Sequence, residues 1–259
     1  TSMVAAGKAD FGVSYQEDVT YALTSEDPLP IKTIATIIQH NTSGFVSLKS
    51  ANINSVKDFE GKTYAGWGAP SEEAVIKAVM NEAGADFSKL NIVGSDGSGI
   101  AGLSDEVGKN KVNLGWEFYG WAIIKALQDG YDLNYMPLAD LDNRLDYYTP
   151  VIITNKKMIK KNSDTVKKFM EATKKGYEYA IDHPSKAAEI LHEDALSDTD
   201  LKFLKESQKY LSSQYAKDAD SWGVMKDSVW DNYTDFMYET GLISQKIDAK
   251  DQYTNEFVK

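Results

Sequence analysis

Short apolar runs alternate with helical stretches along the first 155 residues, and this constrains the fold more than any other feature of the chain. Residues 11–14, 33–38, 45–48, 63–67, 91–94, 112–116, 134–138 and 150–154 read as strands. The 3.6-residue spacing of Val75, Ile76, Val79 and Met80 predicts a helix over 72–83, stopped at Gly84. Strands interleaved with helices predict an α/β protein. From residue 156 onward the strands vanish. A helix is expected over 164–181, with Ser163 as N-cap, Val166, Phe169, Met170, Tyr177 and Ile181 as its apolar stripe, and Pro184 beyond its end. Further helices are expected near 185–192, 199–212 and 224–240. Their stripes (Leu201, Leu204, Leu211; Val229, Tyr233, Phe236, Met237) need a sheet to bury them, so the last part of the chain must fold back on the first. The expectation is two lobes, residues 1–41 with 150–259 and residues 42–149. The chain would cross in the turn-rich segments 40–44 and 146–150, leaving a hinged cleft as a natural small-molecule site. Val4 to Lys8 reads as a helix end with a glycine stop, which predicts a preceding βα unit of ~30 residues.

Bulk properties exclude several function classes. The net charge of −11 argues against nucleic acid or an anionic membrane as partner. With no cysteine, disulfides, iron–sulfur clusters and thiol catalysis are ruled out. No apolar run approaches the ~20 residues needed to span a bilayer. His40, His183 and His192 are scattered, and neither a HExxH helix nor a nucleophile elbow occurs. No catalytic residue, metal site or cofactor is expected. The chain reads as a binding protein, not an enzyme.

Three segments are candidates for ligand contact. In Gly115-Trp116-Glu117-Phe118-Tyr119-Gly120-Trp121, four aromatics surround one carboxylate at the end of a predicted strand. That is where open α/β sheets hold ligands. Flat rings and an acceptor suit a small planar nitrogenous molecule, and an aromatic core patch with a solvated Glu fits the pattern equally. In the segment 64–73, a strand runs through glycines into a helix start. There Trp67 could stack on a ligand, the Gly68 backbone could donate to it, and Ser71 could bind it or cap the helix. At 14–16, Tyr15 and Gln16 follow the first strand and could face the same ligand, or Tyr15 could be an ordinary loop aromatic. A fourth segment, Gly97-Ser98-Gly99-Ile100-Ala101-Gly102, matches the dinucleotide-binding pattern G-x-G-x-x-G. Ser95 and Asp96 loosen its turn and Gly102 interrupts its helix, so it is better read as a flexible loop at a cleft rim than as an NAD site.

The combination of Gly7-Lys8-Ala9-Asp10-Phe11-Gly12-Val13 with Val56-Lys57-Asp58-Phe59-Glu60-Gly61-Lys62-Thr63 resembles substrate-binding proteins of ABC importers with the type II periplasmic-binding fold. The tail continues the resemblance through Val151-Ile152-Ile153-Thr154-Asn155, Gly176-Tyr177-Glu178-Tyr179-Ala180 and His183-Pro184-Ser185-Lys186-Ala187-Ala188. Within that group, 10–16, Gly66-Trp67-Gly68 and Trp116-Glu117-x-x-Gly120-Trp121 look most like the thiamine-pyrimidine branch, which binds formylaminopyrimidine or hydroxymethylpyrimidine. The resemblance implies a monomeric extracytoplasmic protein, a cell-surface lipoprotein of a Gram-positive bacterium or periplasmic, that hands its solute to a membrane permease. It assigns Glu117 to the amino group and ring nitrogen of an aminopyrimidine. Trp116, Tyr119 or Trp121 would wall the ring, and Trp67 and Tyr15 would close the cleft. Other solutes of the same fold, a riboflavin precursor or a sulfonate such as taurine, are the alternatives, followed by a NAD-dependent enzyme. Yeast pyrimidine synthases share the fold but use a cysteine-rich iron motif, which this chain lacks.

Overall fold

The computed structural model describes residues 1–108 and 111–259. Among these, eight strands form two sheets: β1 (Phe11–Ser14), β2 (Ile31–Thr36), β3 (Ser43–Leu48), β4 (Thr63–Gly66), β5 (Asn91–Gly94), β6 (Leu114–Phe118), β7 (Leu133–Pro137) and β8 (Val151–Asn155). The chain divides into two compact units, Thr1–Asn41 with Asp146–Lys259, and Thr42–Leu145. No helix among the described residues is long and apolar enough to cross a membrane.

The first unit holds the sheet β1-β8-β2, with β8 antiparallel to both neighbours. The central strand is an unbroken apolar run because both its faces are covered: Val151, Ile152 and Ile153 are all buried. On one side lie Val166 and Met170 of the helix Ser163–Asp182, together with Trp222, and on the other Trp230, Val19 and Leu23. Each such side chain contributes roughly 1.5–3 kcal/mol by leaving water. The N-cap position of the long helix falls to Asn162, whose side chain makes no capping bond, and not to Ser163, which becomes its first residue. Phe169 stays half exposed and stacks on Phe11 with ring centroids 3.8 Å apart. Pro184 opens the next helix, Pro184–Asp194, where the missing N–H costs nothing.

The second unit holds the five-stranded sheet β5-β4-β6-β3-β7. Here β4 runs parallel to both β5 and β6, while β3 is antiparallel to β6 and β7. Phe45 of β3 is fully buried and meets Phe59 and Tyr64 edge-on at 5.3 and 6.2 Å. Val75, Ile76, Val79 and Met80 are buried along the helix Pro70–Glu82 (α1 hereafter), as their spacing predicts. One strand is displaced from its expected position. β6 occupies 114–118 and not 112–116, because buried Asn113 acts as a polar clip. Its Oδ1 accepts from Thr63 N–H at 3.0 Å, and its Nδ2 donates to the carbonyls of Ser104 and Glu106 at 3.1 and 2.9 Å.

Where the chain leaves the first unit, His40 Nδ1 lies 2.6 Å from Asp146 Oδ2, and Asp146 Oδ1 accepts from the Asn41 N–H at 2.8 Å. His40 Nε2 lies 3.4 Å from Asp218. The Asp146 hydrogen bond raises the His40 pKa above 6.5, against an opposing effect of burial. A raised folded-state value means the stabilisation is complete below pH 6.5 and is lost as pH rises through the folded value. Thermal unfolding followed by circular dichroism is therefore expected to show a melting temperature that falls through this range. In His40→Asn that fall should flatten, and an unchanged profile would remove His40 from the account.

Candidate ligand-binding site

β4, β5 and β6 point the same way, so their carboxyl ends share one edge of the second sheet. A cavity of about 360 Å³ opens there, within the range of small-molecule sites. Ala65 to Trp67 forms one wall, the loop from Gly94 to Gly102 the second, and Leu114 to Phe118 the third. Trp67, 57% exposed, and Trp116 bring their ring centroids to 5.1 Å at 59°, and Phe45 backs Trp116 at 5.7 Å. The two indoles make an apolar wall with a face open to solvent.

Glu117, next to Trp116 on β6, lines the same cavity. It is half-buried, and no donor among the described residues bonds its carboxylate. Burial raises its pKa above the ordinary 4.5. Gly99 borders it at φ +55°, a left-handed conformation that favours glycine, and a Cβ there would meet Glu117 Oε1 at an ordinary contact distance of 3.7 Å. A half-buried acceptor without a donor of its own is suited to take N–H groups from a ligand.

The Trp67 turn is held from beneath by Glu72, 2% exposed in the first turn of α1. Glu72 Oε1 accepts from Tyr64 O–H at 2.5 Å and from the Trp67 N–H at 3.2 Å, and Oε2 accepts from the Gly68 N–H at 2.8 Å. The carboxylate lies so close under the strand that a Cβ on Gly66 would be 1.9 Å from Oε1. Gly68 takes φ +78°, a left-handed conformation in which glycine carries no steric cost. Trp67 therefore stands on a fixed turn. If a planar ligand stacks there, its binding should quench tryptophan fluorescence, and Trp67→Phe should remove most of the quench. A full quench in that variant would place the ring elsewhere.

The structure brings Trp67, Trp116 and Glu117 into one cavity and leaves the other candidates outside its lining. Gly68 borders a smaller neighbouring depression with Pro70 and Glu73. Ser71 is buried at the second position of α1, whose N-cap is Ala69, so it does not cap the helix. Tyr119 packs edge-on against Tyr135 at 5.3 Å, and Trp121 lies half exposed on the wide π-type turn Tyr119–Ile123. In the first unit, Tyr15 is 45% exposed. Gln16 is buried there, accepting from the Tyr148 N–H at 2.8 Å and donating to the Val229 carbonyl at 3.2 Å.

Sequence reasoning missed two acidic centres. Glu72 is one. The other is Glu17 in the first unit, which accepts from Tyr147 and Tyr233 hydroxyls at 3.1 and 3.3 Å, while those two rings stack at 4.0 Å. Burial raises the Glu17 pKa, partly offset by the tyrosine donors. The glycine loop 94–102 proves to be a cavity wall in the second unit. Among the described residues no group of three or more His, Asp or Glu side chains is placed to hold a metal ion.

Two sheets flanked by helices, in two units joined by a doubly crossing chain, define the periplasmic-binding-protein fold. An alkanesulfonate-binding protein from Xanthomonas axonopodis pv. citri, solved with MOPS bound, superposes with a TM-score of 0.71 over 98% of this chain and 83% of its own. At 11% identity that likeness concerns the fold. The chain belongs to the NMT1/THI5-like family, whose model matches residues 1–187. It is 25% identical over 198 residues to a formylaminopyrimidine-binding protein of Halalkalibacterium halodurans, covering 73% of this chain and 56% of that protein. The match thus spans little more than half of that relative's length. It is 26% identical over 255 residues to a riboflavin-binding protein of Chloroflexus aurantiacus, covering 91% of this chain and 67% of the relative.

Proposed function

We propose that this chain is the solute-binding protein of an ABC importer. It takes up a thiamine pyrimidine precursor, formylaminopyrimidine or hydroxymethylpyrimidine, and passes it to a membrane permease outside the cytoplasm, as a monomer and without catalysis of its own. The observation that carries this reading is Glu117, a half-buried carboxylate that no donor among the described residues bonds, in the cavity lined by the paired indoles of Trp67 and Trp116. An aminopyrimidine offers an amino group to a carboxylate and a flat face to an indole, so it complements both features. The formylaminopyrimidine-binding relative supports the same solute class. The fold alone would not decide between binding and catalysis, because one fold hosts both.

Calorimetric titration of ligand-free protein with aminopyrimidines, riboflavin and taurine tests the reading. Saturable one-to-one binding of an aminopyrimidine, with riboflavin and taurine weaker by at least ~100-fold (about 2.7 kcal/mol), is expected. Tight binding of taurine or riboflavin with no response to pyrimidines would refute it. Unaltered solute recovered from the complex by mass spectrometry separates a binding protein from an enzyme.

A further inference from the structure

The glycine loop answers a question the functional reading leaves open, namely whether the solute carries an anionic group. Loops of this pattern can cradle phosphate when their backbone N–H groups point free into the site. Here three of those groups are already engaged within the protein. The Ser95 N–H donates to the Gly66 carbonyl at 2.7 Å, the Gly97 N–H to Ser95 Oγ at 3.2 Å, and the Ser98 N–H to Asp96 Oδ1 at 2.9 Å. The side chain that engages Ser98 also brings a second negative charge to the cavity wall, so Asp96 and Glu117 both line the site. None of the described lining residues is lysine, arginine or histidine. The neighbouring Lys111 pairs with Glu106 at 3.0 Å. The chain as a whole, at −11, adds to the negative field.

We infer that the cavity selects an uncharged or cationic heterocycle rich in N–H donors and rejects the same heterocycle once it bears a phosphate or sulfonate. This rests on the aminopyrimidine reading and adds the charge class of the cargo to it. Two carboxylates attract a protonated or donor-bearing ring, and the same pair repels an anion for which the described lining residues supply neither a cation nor, at Ser95, Gly97 and Ser98, a free N–H. The glycines of the loop then serve a different purpose. They take the left-handed backbone turns of the wall, with φ +83° at Gly97 and +55° at Gly99.

Titration of ligand-free protein with 4-amino-5-hydroxymethyl-2-methylpyrimidine and with its phosphate monoester, at low and at physiological ionic strength, tests this. The alcohol is expected to bind and the monoester to bind ~100-fold more weakly, a ratio that narrows as salt screens the carboxylates. Asp96→Asn keeps the Oδ1 acceptor for Ser98, so the loop should hold its shape while the ratio falls several-fold. Equal or tighter binding of the monoester, with the alcohol still bound, would overturn the charge inference and leave the pyrimidine reading standing. A ratio indifferent both to salt and to Asp96→Asn would mean steric exclusion and would also overturn it. Failure of both compounds to bind would overturn the pyrimidine reading, and this inference with it.

Discussion

Glu72→Ala is expected to lower the unfolding free energy by ~2–4 kcal/mol and to abolish solute binding, although Glu72 lies outside the cavity. The substitution strands the buried Tyr64 hydroxyl and releases the Trp67 and Gly68 amides together. Loss of a donor's only acceptor in the interior costs the full desolvation of that donor, while the two turn amides can partly recover bonds to water. Chemical denaturation reads the first effect and calorimetry the second. Tyr64→Phe removes one of the three bonds and should cost ~1–2 kcal/mol. The exposed neighbour Glu73→Ala should change stability by less than ~0.5 kcal/mol. If Glu72→Ala proved as mild as Glu73→Ala, the turn would be holding itself and the Trp67 platform would need another explanation.

Glu117→Gln is expected to weaken aminopyrimidine binding by ~1.5–3 kcal/mol with little change in stability, the scale of a hydrogen bond to a charged acceptor. The amide keeps the size of the side chain but loses its charge and brings two donors toward a ring that also donates. Burial has raised the Glu117 pKa, so the wild-type affinity should fall with decreasing pH from a point above the usual carboxylate range. In the variant that fall should disappear. A wild-type dissociation constant in Glu117→Gln would reduce Glu117 to a surface carboxylate.

Much of this was readable in the sequence because it follows from local periodicity. The alternating strands, the stripe on α1 and the late run of helices all report which face of each element is buried, and neighbouring residues carry that signal. The strand-end position of Glu117 was legible because a predicted strand runs into a predicted helix there, whereas the aromatic spacing alone fitted a core patch equally. The misplaced features depend on contacts that spacing does not encode. β6 starts two residues late because Asn113 bonds across to Thr63, fifty positions away. Ser71 looks like a cap, yet Pro70 takes the first helical position and pushes it one place inside. Glu72 resembles any acid in a first turn until the strand beneath it is known. Glu17 meets Tyr147 and Tyr233 across 130 and 216 positions, a separation that leaves no local trace.

The central claim is that one cavity in the second unit holds an aminopyrimidine between Glu117 and the paired indoles. A crystal structure of the protein grown with formylaminopyrimidine tests it most directly. The account predicts a planar ring against Trp67 or Trp116, with its amino group within hydrogen-bond distance of the Glu117 carboxylate. An ordered ring bound elsewhere, with that cavity holding only solvent, would contradict it.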